Sequence, residues 1–136
     1  MTRRMGAETG QDLVEYALIL PLFLLLSLSV FEFAILFFQF NTVANAAREA
    51  ARAGIIPATS ACDEACIDDR VEAAARTLTT GLNQDDLDVL VLHPDGSTVR
   101  VDISYQTEFI SAIVVEAVGG SSELTLRASA SMQREN

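Results

Sequence analysis

Between Leu13 and Phe40 nearly every position is apolar, and no other stretch of the chain shows a comparable run. Ala17–Leu26 is followed by Leu28, Val30, Phe31, Phe33–Phe38 and Phe40. A membrane-crossing helix needs roughly 20 apolar residues at ~1.5 Å of rise each, so this run is long enough to span. Ser27 and Ser29 do not spoil it, because a helical serine can hydrogen-bond back to its own backbone. Pro21 removes one helical hydrogen bond and is expected to kink or loosen a turn. Glu32 is the formal charge between Ala17 and Phe40, about 28 Å along a helix counted from Leu13 and therefore near the far edge of a ~30 Å hydrocarbon core. Such a position lets the carboxylate reach the interface; the alternative is a specific intramembrane ion pair.

Beyond the run the pattern changes. Residues 41–53 are Ala-rich and favour continued helix, with Gly54 and Pro57 as stop signals. A helix unbroken from Asp12 to Ala53 would be about 60 Å long. Its small residues Ala44, Ala47 and Ala51 make a thin face, suited either to the chain's own domain or to another helix. Ala58–Asp69 reads as a loop. From Arg70 to Leu82, Val71, Ala74, Ala75, Leu78 and Leu82 recur at helical spacing, with Gly81 and Asn83 marking the end. Leu87–Leu92 is a short strand, His93-Pro94-Asp95-Gly96-Ser97 a turn, and Thr98–Thr107 an alternating half-buried strand that should pair with it as a hairpin. Phe109–Val118 is apolar but too short to span. After the break Gly119–Ser122, Glu123–Met132 alternates again as a third strand. An antiparallel sheet of three strands covering a helix buries these faces most economically, so the fold class is α+β.

Charge narrows the partners. The formal net charge is −10, and from Asn41 onward seven arginines face fifteen acidic residues. This balance argues against nucleic acid, which requires clustered positive charge. Cys62 and Cys66 are the two cysteines. In an oxidising compartment they would close a short disulfide loop; facing the cytosol they would be ordinary thiols. Two thiolates do not make a metal site, and the single His93 lies far away in a turn expected to be solvated. The Asp85, Asp86 and Asp88 cluster lacks the spacing of a calcium loop and reads as a cap before a strand. No phosphate loop, His-x-x-x-His pair or nucleophile elbow is present. No catalytic residue, metal or cofactor is expected.

Orientation follows from the basic leader. Arg3 and Arg4 with the terminal amine favour a cytoplasmic N-terminus, although Arg48 and Arg52 follow the run at short range. The leader ends in Gly10-Gln11-Asp12-Leu13-Val14-Glu15-Tyr16. This resembles the processing site of type IV pilin-like proteins: a short basic leader, a glycine before the cut, and a glutamate at the fifth mature position. A cut after Gly10 makes Gln11 the first mature residue and Glu15 the fifth. The site precedes the apolar run, whereas a secretory signal is cut after it. A new ammonium at Gln11 would need a counter-charge, which Glu15 of the same or a neighbouring helix could supply. Asp12 and Glu15 also suit the N-terminal turn of any helix.

The resemblance continues through Asn45–Gly54, the cysteine pair, Val99–Tyr105 and Ser129–Glu135, and it is to the TadE-like family, with Glu15-Tyr16 similar to the Flp branch. It implies a pilin-like plan with a cleaved leader at 1–10, a transmembrane and projecting helix at 11–54, and an extracytoplasmic α+β domain at 55–136. In the family, Phe109–Val118 would lie between strands. The implied function is that of a minor pseudopilin of the tight-adherence (Flp) pilus, processed by a prepilin peptidase. Implied partners are the bacterial inner membrane, that peptidase, and other pilin or pseudopilin subunits through the helix. The chain would cross the membrane once, with its domain periplasmic or at the cell surface in a pilus. Two other readings stay open: a permanently anchored periplasmic binding module never cut at Gly10, and a secreted protein cut near Ala44-Asn45-Ala46.

Overall fold

The computed structural model describes residues 8–56, 62–117 and 119–134; the leader arginines, Pro57 and Val118 lie outside them. Helix α1 spans Glu8–Ala53 and α2 spans Glu64–Leu78. A 3-10 turn at Gln84–Asp86 leads into strand β1 (Leu87–Leu92), followed by β2 (Thr98–Glu108), the short helix α3 (Ala112–Ala117) and β3 (Glu123–Gln133). The chain divides between Ile35 and Leu36 into two compact units.

In the first unit α1 is the structure. It is helical through Pro21, so the proline does not break it. Ser27 Oγ donates to the Phe23 carbonyl at 2.8 Å and Ser29 Oγ to the Leu25 carbonyl at 2.9 Å. Both hydroxyls are thus satisfied within the helix, as the sequence suggested.

In the second unit the C-terminal part of α1 becomes amphipathic. Val43, Ala46, Ala47, Ala50 and Ala51 are all buried, and the spacing of three and four residues places them on one face. Ala44, expected on this stripe, is half-buried at its edge. The stripe shares one core with Ile67, Val71 and Ala75 of α2 and with Val99, Val101, Ile103 and Tyr105 of β2. Of the two uses considered for the small face, packing against the chain's own domain is the one observed.

Gly54 ends the helix for a reason other than the stop signal invoked above. It does not adopt positive φ. A Cβ there would lie 2.8 Å from Val99 Cγ1 and 2.9 Å from Val71 Cγ2, so hydrogen is the side chain that lets α1, α2 and β2 meet.

Helix α2 begins six residues earlier than its periodicity suggested and stops four residues sooner. Asp63 is the N-cap, its carboxylate accepting from the Cys66 amide at 3.0 Å. The buried positions are accordingly Ile67, Val71 and Ala75, while Leu78 is exposed. The next inward position is Thr79, fully buried; its hydroxyl donates to the Ala75 carbonyl at 3.0 Å and so costs little in the core.

The three strands form an antiparallel sheet in the order β1-β2-β3. Val89 pairs with Ile103 and Ile103 with Ala128, which aligns the inward-facing positions across all three strands. Strand β2 shows the two faces plainly: Val99, Val101, Ile103 and Tyr105 are buried, while Arg100 and Gln106 are exposed. The hairpin turn uses Gly96 at φ 72° and Asp95, whose carboxylate accepts from the Thr98 amide at 2.7 Å and the Thr98 hydroxyl at 3.0 Å. These bonds hold the Asp95 carboxyl below its usual range, the Thr98 hydroxyl contributing most.

Candidate functional site

The entrance of α1 carries the residues singled out by sequence. Gly10, Gln11, Asp12, Glu15 and Tyr16 are all exposed, Tyr16 at 72 %. Asp12, Glu15, Tyr16 and Ile19 line one shallow groove, as spacings of three, four and seven residues require. Glu15 lies one turn beyond Gln11, about 6 Å along the axis, and helical side chains lean toward the N-terminus. A carboxylate at that position is therefore directed back toward the nitrogen of Gln11.

Gly10 lies within helix, and a Cβ built on it meets nothing within 4 Å. Local packing gives no reason for a glycine. Helix propensity disfavours one by about 1 kcal/mol relative to alanine.

Following this entrance, the side chains from Leu13 to Leu26 are exposed without exception; Leu18 reaches 74 % and Leu22 71 %. Isolated exposed apolar residues are ordinary, but an all-round apolar helix of this length demands a non-aqueous surrounding. Among the described residues, α1 is the one helix long and apolar enough to cross a membrane. Beyond the run, Asn41 Nδ2 donates to the Phe37 carbonyl at 2.7 Å and Thr42 Oγ1 to the Phe38 carbonyl at 2.9 Å, so the first polar side chains again satisfy themselves locally.

Cys62 and Cys66 form a disulfide with 5.3 Å between Cα atoms. It straddles the Asp63 cap and joins the chain before α2 to the third residue of that helix. Cys62 is half-buried and packs against the core, while Cys66 is exposed. Arg70, one turn further along α2, points Nη2 at Cys62 Sγ across 3.0 Å.

His93 is not the solvated turn residue expected from its proline neighbour. Its side chain is 18 % exposed, and Nε2 lies 2.8 Å from Asp68 Oδ1 of α2. Arg134, 8 % exposed, directs Nη2 to His93 Nδ1 at 3.5 Å, Nη1 to Glu64 Oε1 at 3.5 Å and Nε to the Gly54 carbonyl at 3.3 Å. A guanidinium only donates, so Nδ1 accepts and the Nε2 hydrogen faces Asp68. This cluster ties the end of α1, helix α2, the hairpin turn and the chain after β3.

The family model described as "TadE-like protein" matches residues 10–52. The match opens on Gly10 and runs through the apolar segment into the small-residue stripe. No curated protein and no solved structure matches the chain.

Proposed function

We propose that this chain, TadE-like from Gly10 to Arg52, is a minor pilin-like subunit in the assembly of tight-adherence (Flp) pili, cut by a prepilin peptidase after Gly10. A TadE-like segment fits a protein of the Tad pilus system and an apolar N-terminal helix fits membrane association. The observation that carries the finer reading is Gly10 itself. It sits where no neighbour needs a glycine, at the first residue of the family match, immediately before an acidic entrance to the apolar helix. A protease that must seat the residue before the cut in a tight subsite supplies the missing reason.

On this reading the membrane holds the helix until assembly, when its apolar surface exchanges lipid for the helices of other subunits. Glu15 neutralises the new ammonium at Gln11, on its own helix or on a neighbour's, and so fixes axial register. The domain after Gly54 lies outside the cytoplasm, where the Cys62–Cys66 disulfide is stable. It selects neighbours or caps the assembly.

The test is the N-terminal mass of the protein from native membranes, wild type against Gly10→Ala. The expected result is a chain beginning at Gln11 in the wild type and an uncut leader in the variant. Because an alanine methyl meets nothing at this position, loss of processing cannot be assigned to misfolding. An intact leader in both would leave a plain single-pass anchor for a periplasmic binding module, and a mature chain beginning after Ala46 would make the apolar run a secretory signal.

A further inference from the structure

The disulfide is asymmetric in a way its structural role does not require. A loop closed by five residues constrains little of the unfolded chain. Yet one sulfur belongs to an exposed residue and the other to a residue seated on the core beside a guanidinium. From this asymmetry we infer that Cys62–Cys66 is a thiol–disulfide exchange site, attacked at Cys66 and taking as substrate an extracytoplasmic protein thiol in neutral or basic surroundings.

The chemistry follows from the two environments. An incoming thiolate attacks Cys66 Sγ, the bond between the sulfurs breaks, and its electron pair leaves on Cys62 Sγ. The products are a mixed disulfide on Cys66 and a thiolate on Cys62. No net oxidation occurs in this step. A second thiol on the same partner then attacks the mixed disulfide, leaving Cys62 and Cys66 reduced and the partner oxidised. Exchange is faster when the leaving thiol is more acidic, and a cation in contact with that sulfur stabilises the thiolate. Arg70 Nη2, 3.0 Å from Cys62 Sγ, is that cation. Attack from the opposite side would have to displace a sulfur without the Arg70 Nη2 contact and reach one whose residue packs against the core.

The acids around Cys66 define the partner. Asp63 and Glu64 directly follow Cys62, are exposed, and lie within the loop and first turn that carry Cys66. They repel an anionic thiol and favour one flanked by positive or neutral groups.

The extracytoplasmic setting rests on the function proposed above, but the exchange itself is tested on the purified full chain in detergent. The protein is treated with cysteamine, a cationic thiol, quenched with acid, and the free thiol is alkylated before peptide mass mapping. The expected first product carries cysteamine on Cys66 and the alkyl group on Cys62. Arg70→Gln should slow its formation severalfold, because the departing Cys62 thiolate loses its cation, and Arg70→Lys should recover most of the rate. Reaction with anionic thioglycolate, compared at equal thiolate concentration, should be slower than with cysteamine. Cysteamine found first on Cys62, or a rate indifferent to Arg70→Gln at unchanged helix content, overturns the assignment. If Arg70→Gln fails to fold, the position of the wild-type adduct still decides it. Processing at Gly10 is read separately, from the N-terminal mass, so either idea can fail alone.

Discussion

Helix α1 has two stretches built on opposite principles. From Leu18 to Leu26 its side chains are apolar and exposed all round. From Val43 to Ala51 they are small on one face, and that face is buried. The first stretch presents apolar side chains on every side, which suits lipid or another helix. The second gains its place from close approach, since alanines let the helix backbone sit directly against α2 and β2. The difference teaches that helix continuity does not imply one folding determinant. Substitutions in the two stretches should therefore report on different equilibria.

The largest expected effects break that comparison cleanly. Ile103, 1 % exposed at the centre of β2, should cost about 2–5 kcal/mol of domain stability when replaced by alanine. Urea unfolding of the full chain in detergent, followed by near-UV circular dichroism of the buried Tyr105, would measure it. Leu24→Arg should leave that unfolding midpoint unchanged while costing about 2.5–3.5 kcal/mol of membrane insertion, read as loss from the membrane fraction. A domain destabilised by Leu24→Arg would show that the apolar stretch does depend on the rest of the chain.

A smaller effect sharpens the comparison at the far end of the helix. Gly54→Ala places a methyl group under 3.0 Å from Val71 and Val99 and should cost about 1–3 kcal/mol. Gly10→Ala adds the same methyl in open space and should leave domain stability unaltered. Two identical substitutions near the two ends of α1 thus separate a glycine held by packing from one that packing does not explain. Equal destabilisation by both would remove the distinction on which the processing reading leans.

Much of this fold was legible in the sequence because its signals are local. Alternation along Thr98–Thr107 located β2, and the turn chemistry of Asp95-Gly96 located the hairpin. The family match also opens on Gly10, where the linear motif at the entrance of α1 begins, and such a motif can be read without tertiary structure. Helix α2 starts before the residues whose periodicity marks it, because Asp63 and Glu64, which look like loop between two cysteines, are its cap and first residue. The cap signal was present: Asp63 stands four residues before the first of the inward positions Ile67, Val71 and Ala75. The Arg134 cluster was illegible for a different reason. Its contacts span 41, 70 and 80 residues, and nothing in the spacing of one arginine, one histidine and two acids announces that they meet. The same holds for Gly54, whose neighbours lie on two other elements.

The smallest prediction concerns acid, and it belongs to the sheet alone. Asp102 of β2 has its carboxyl held below the ordinary range, chiefly by a hydrogen bond from the Ser129 hydroxyl of β3 and further by Arg100, whose Nε lies 3.0 Å away. Asp95 is lowered by its own turn. A carboxyl whose folded pKa is depressed binds its proton more readily when unfolded. Its contribution is therefore complete above the unfolded value and is lost as pH falls through the folded one. Both groups are exposed enough that the effect should be modest. Domain stability should thus decline on acidification below the usual aspartate range, and Asp102→Asn should flatten that decline while lowering stability at neutral pH. A variant whose acid slope matches the wild type would mean that the β2–β3 hydrogen bond is replaced by water at no cost.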